Sequence, residues 1–205
     1  MLKIQIKHNR FLDPVFWCHF QQRFKITILK RETQDEIDLI IKEYKETWFK
    51  NEKKILKAIQ QITKLTFKHS LIDVHIVRRI DRSFSRPIIF DIRKAPENFC
   101  DQLTHELLHI ILQENNNIVS WEVLEWLNER FPKESDTTRN HIFIHAVLKK
   151  IYINILKNPK RLKENMKRSQ GHHNNDYVRA WEIVEEYGED EIIKMFTKYY
   201  RSVNA

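Results

Sequence analysis

Five consecutive residues, His105-Glu106-Leu107-Leu108-His109, combine types and spacing that can do chemistry. On a helix, positions i and i+4 lie one turn apart on the same face, so both imidazoles can reach one metal ion. Two neutral imidazoles suit zinc, which lowers the pKa of a bound water toward about 7. Glu106 follows the first histidine and can take a proton from such a water. The neighbouring residues predict the helix that this geometry needs. Phe99, Leu103, Leu107, Ile110 and Ile111 form an apolar stripe opposite the histidines, Pro96 suits a helix start, and Glu97 suits a first turn.

A catalytic zinc takes three protein ligands and keeps one position open. Three stretches can supply the third ligand. His141 and His145 repeat the i,i+4 spacing in an otherwise apolar helix, and a histidine pair on a buried stripe needs polar partners. The sequence reading gives the ligand role to His145, one turn further into the helix. His141 then serves catalysis by holding a substrate oxyanion or steadying another ligand, and the two roles can be exchanged. Glu122, Glu125 and Glu129 are the second source, although glutamate is common on solvated helix faces. The third is His172 and His173, adjacent in a polar loop. A closed site using both His141 and His145 would leave no position for water and no use for Glu106.

The elements that must position these residues can be followed along the chain. Residues 2–7 alternate as a strand, and the aromatic-rich stretch Phe11–Phe24 contains a turn at Asp13-Pro14. Lys25–Lys30 reads as a second strand. From Thr33 to Thr63 apolar residues recur at three or four, with Asn51 as the place where one long helix would become two. Leu71–Ile80 and Arg86–Ile92 are strands, and Ser85–Phe90 is assigned as an edge with which an extended peptide can pair. Beyond the motif helix, Ser120 caps a helix from Trp121 to Arg130. Ser135 or Asp136 caps another, from Thr137 to Lys157, that is apolar nearly all round and belongs in the core. A basic run, Lys160–Arg168, leads into a loop. Asp176 caps a helix through Tyr187, Gly188 ends it, and a last helix runs from Glu189 to Tyr200.

The expected fold class is α+β in one domain spanning 1–205. Residues 1–70 carry strands and a long helix, 71–157 the metal-site core, and 158–205 a basic loop and C-terminal helices. A chain of 205 residues that is 41% hydrophobic and 31% charged has a folded, water-soluble composition, and no apolar run is long enough for a membrane span. Two cysteines are too few for a disulfide framework, which makes a cytoplasmic location the expectation. A net charge of +8 favours acidic partners, nucleic acid among them.

Through Thr104-His105-Glu106-Leu107-Leu108-His109-Ile110-Ile111-Leu112 the chain resembles the zincin metallopeptidases, in particular the small SprT-like and ImmA/IrrE-like groups. The resemblance covers residues 72–156. It implies one zinc ion on His105 and His109, Glu106 as general base, and a small twisted sheet packed on an active-site helix and a backing helix. Leu112 and Asn115 stand where a metzincin has glycine and histidine, which excludes that clan. The combined expectation is a zinc-dependent metallopeptidase acting on a peptide or protein substrate, with metal on His105, His109 and His145 and with Glu106 and His141 in catalysis. The rival is a non-catalytic zinc-bearing binding protein. In that reading the basic surface at Lys157, Lys160, Arg161, Lys163, Lys167 and Arg168 holds nucleic acid or an acidic protein.

Overall fold

A computed structural model describes residues 2–26, 30–80, 83–116, 119, 121–170 and 175–202. The strand expected over Lys25–Lys30 falls largely on 27–29. That segment, the cap at Ser120, and His172 and His173 lie outside the described residues. The fold is α+β and divides into two compact units: Met1–Glu52 with His69–Ile110, and Lys53–Lys68 with Ile111–Ala205.

The first unit is built on a four-stranded sheet. Its strands are β1 (Lys3–His8), β2 (Leu71–Val77), β3 (Phe84–Ser85) and β4 (Ile88–Asp91), in the order β1-β2-β4-β3. β1, β2 and β4 run parallel, and β3 returns antiparallel to β4. In register, Ile4 pairs with Ile72 and Ile6 with Val74, and all four side chains are buried. Lys3 and Gln5 point outward, as a period of two requires. β4 is buried along its whole length because it is internal to a mostly parallel sheet. The expected free edge at Ser85–Phe90 is therefore corrected: Ile88 and Ile89 are paired on both sides, and the edge belongs to β3.

Two helices follow β1. The first, α1 (Leu12–Phe24), replaces the turn expected at Asp13-Pro14. Asn9 accounts for this, because its Oδ1 accepts the N–H groups of Phe11 at 3.1 Å and Leu12 at 3.0 Å. Pro14 then sits in a first turn whose N–H groups lack intrahelical acceptors in any case. The second, α2 (Gln34–Phe49), opens on a capping box between Thr33 and Glu36. The break at Asn51 is real, and α3 (Glu52–Thr63) starts anew beyond it. The motif helix α4 runs from Pro96 to Glu114.

The second unit is helical in its described residues. Beside most of α3 and the end of α4 it holds α5 (Trp121–Arg130), α6 (Asp136–Lys150), α7 (Pro159–Arg168), α8 (Asp176–Tyr187) and α9 (Glu189–Ser202). α6 is the core helix. Every residue from His141 to Leu148 is buried, and Phe143 stacks on Phe196 of α9 at 4.7 Å. It continues into one wide π-helical turn, Ile151–Ile155, where the Leu156 N–H reaches the Ile151 carbonyl at 2.9 Å. The basic run expected to lead into a loop is instead α7. Asn158 caps it through the Arg161 N–H at 3.0 Å, Pro159 opens it, and Leu162 anchors it by burial. Gly188 ends α8 with φ 79, a conformation that costs glycine nothing. No helix among the described residues is long and apolar enough to cross a membrane.

Candidate metal centre

The start of α4 is pinned to the sheet by aromatic rings. Phe99 stacks face to face on Tyr44 of α2 at 4.2 Å and meets Phe90 of β4 edge-on at 5.3 Å. The Tyr44 hydroxyl lies 2.7 Å from each of the Ile92 and Lys94 carbonyls, so the link between β4 and α4 is held as well. Phe99, Leu103, Leu107, Leu108 and Ile111 are buried, which leaves His105 and His109 half-buried on another face. Their Nε2 atoms lie 3.1 Å apart. Two nitrogens each about 2.0–2.1 Å from a tetrahedral zinc stand roughly 3.3 Å apart, so the pair needs little movement to share one ion.

His141 is buried on α6, with its Nδ1 2.6 Å from the Thr137 carbonyl one turn earlier. A carbonyl only accepts, so Nδ1 carries the hydrogen and Nε2 presents its lone pair. Metal-binding histidines are commonly held by such a second bond. Neutral imidazoles suit zinc, and the His105 and His109 pair, one turn apart on α4, supplies two of the donors such an ion takes.

His145, one turn further along α6, is buried, and its ring stacks on Trp181 of α8 at 4.2 Å and 13°. Tyr177 of the same helix meets His141 edge-on at 4.3 Å. Glu122, Glu125 and Glu129 are exposed on α5.

Glu106, next in sequence to His105, is buried, and the Ser85 hydroxyl of β3 donates to its Oε2 at 2.5 Å. Burial pushes its carboxyl up to about 7, against the opposing pull of the Ser85 hydrogen bond and the Lys94 charge. Burial also lowers the Lys94 ammonium, while Asp91 and Glu106 favour its charge. A carboxyl in such surroundings both takes and returns protons near neutral pH.

Ser85, Thr137, Tyr177 and Trp181 support the site and escaped sequence reasoning. A lone serine in a strand carries no spacing signal. Thr137 lies four residues before His141, and that offset becomes meaningful only once the helix register is known. No protein-family model, curated protein or solved structure matches the chain.

Proposed function

We propose that the protein is a zinc-dependent metallopeptidase, with zinc held by His105, His109 and His141. The observation carrying this reading is the pair of imidazole nitrogens 3.1 Å apart on α4, next in sequence to the buried carboxyl of Glu106. The third-ligand role passes from His145 to His141, whose Nδ1 is already engaged by the Thr137 carbonyl.

When bound, zinc supplies Lewis-acid polarisation of the scissile carbonyl and a more acidic water. The remaining work falls to the chain. Glu106 takes the proton of the attacking water and passes it to the leaving amine. Ser85 engages one oxygen of Glu106, and the other is the one we assign to the water proton. β3 forms the edge of the sheet and carries Ser85, so an extended peptide paired with β3 would run past the base.

The test is elemental zinc content per chain, measured on untagged protein and on His105→Ala, His141→Ala and His145→Ala. About one zinc in the parent and in His145→Ala, with loss in the other two, is the expected result. Folded parent that takes up no added zinc would end the enzyme reading.

A second reading has its own observation. α7 gathers Lys160, Arg161, Lys163, Lys167 and Arg168 on a formed helix. A basic helix of this kind suits a nucleic-acid or acidic-protein partner, and its binding would fall steeply with salt.

A further inference from the structure

A second charged cluster lies at the carboxyl ends of the parallel strands in the first unit. β2 ends at Val77 and leads directly into Arg78 and Arg79. Their guanidinium carbons lie 5.5 and 5.6 Å from the centre of the Trp17 indole, and that of Arg31 lies 4.7 Å from it. Arg78 donates to the Glu32 carbonyl at 3.2 Å, and Arg79 pairs with the Glu32 carboxylate at 3.2 Å. Both therefore reach the residue next to Arg31.

The charges in this cluster do not balance. Asp13 answers Arg78 through its side chain and its backbone N–H, and Glu32 answers Arg79. His8 lies 3.5 Å from Asp13. Arg31 is exposed and has no carboxylate partner among the described residues. The side chains of Arg78 and Arg79 are only 15% and 11% exposed, so the excess positive charge sits beside a partly desolvated group.

Three further observations point to a ligand. Trp17 is 1% exposed, and its Nε1–H has no acceptor among the described residues. The Glu32 Oε2 is a buried acceptor that likewise lacks a donor there. Arg79 holds φ 59, the left-handed region that non-glycine residues seldom occupy and that recurs at binding sites. The carboxyl ends of parallel strands are also where open α/β sheets take ligands.

We infer that this cluster binds a phosphate group. Arg31 and Arg79 donate to its oxygens, the Trp17 indole N–H supplies another donor, and a protonated phosphate oxygen donates to Glu32. A carboxylate has only two oxygens and no hydrogen to give at neutral pH, so it cannot satisfy this set.

The experiment is calorimetric titration of the full chain with inorganic phosphate, at ionic strength held constant with chloride. Arg31→Gln and Arg79→Gln should each weaken binding about tenfold or more. Lys57→Gln, which removes one exposed charge from α3, should leave it unchanged. A nucleoside monophosphate titrated in parallel identifies the source of the group: tighter binding than inorganic phosphate means a phosphorylated small molecule, and equal binding means free phosphate. Absence of binding to the parent, equal binding by Arg31→Gln, or acetate binding as tightly as phosphate would overturn the inference. Because Arg31 is exposed, its variant tests the idea even if Arg79→Gln folds poorly.

Discussion

Glu106 carries the heaviest chemical demand, because the proposed hydrolysis needs its carboxylate while zinc binding does not. Glu106→Gln should keep zinc and lose turnover on a peptide mixture by about 100-fold or more, read by mass spectrometry of the products. Turnover near that of the parent would remove it as the base. Asp13 makes a separate claim, on stability. Burial works against its charge, but hydrogen bonds from the Arg78 side chain and backbone, with the charges of Arg78 and His8, more than offset this. Its carboxyl is therefore held below the ordinary value of 3.8. A carboxyl lowered in the folded state contributes stability that is fully present above the unfolded pKa and is lost as pH falls through the folded one. Asp13→Asn should thus cost about 3 kcal/mol at pH 7, because Arg78 is left buried without its partner. In urea titrations, the gap between parent and variant should narrow in acid. A gap that stays constant with pH would mean that Asp13 contributes through packing alone.

At the scale of elements, two local devices hold the helices that carry the histidines. The Tyr44 hydroxyl secures the link between β4 and α4, and its ring supports Phe99. Tyr44→Phe keeps the stack but removes the donor from the Ile92 and Lys94 carbonyls, at a cost of about 1–3 kcal/mol. If this link sets the motif helix, zinc affinity should fall with it; unchanged affinity would make Tyr44 a purely structural residue. α6 begins at Ser135, whose Oγ accepts the Thr138 N–H at 3.0 Å and lies 2.6 Å from the Asp176 carboxylate at the start of α8. Ser135→Ala should cost about 1 kcal/mol in thermal unfolding. A neutral result would show that Asp176 and Thr138 compensate at that end.

For the whole molecule, zinc should stabilise the fold as well as enable chemistry, since a ligand that binds only the native state raises its stability. Exhaustive chelation should lower the melting temperature and abolish peptide hydrolysis, and added zinc should restore both. Hydrolysis that survives complete zinc removal would contradict the proposed function outright. Neither Cys18, exposed, nor Cys100, buried, forms a disulfide, so none masks that change.

Much of this was legible in the sequence because it depends on local period. The alternation of Lys3–His8 gave a strand, and the spacing of Ile37, Ile41, Tyr44 and Trp48 gave the buried face of α2. The i,i+4 histidines on α4 and α6 follow from helical geometry alone. Where two local signals conflicted, the reading failed. Asp13-Pro14 looked like a turn because Asn9, whose side chain accepts the Phe11 and Leu12 N–H groups where the helix starts, precedes the pattern, and the charge run of α7 hid Leu162 as its anchor. The sequence by itself determined the α+β class and the candidacy of His105, Glu106 and His109, and it marked Asn51 as the place where a break would fall. Tertiary structure decided that His145 stacks on Trp181, that Ser85 reaches Glu106, and that Arg31, Arg78 and Arg79 meet on Trp17. The reason is that each of those meetings joins residues far apart in the chain, and no local pattern encodes which distant side chain a residue meets.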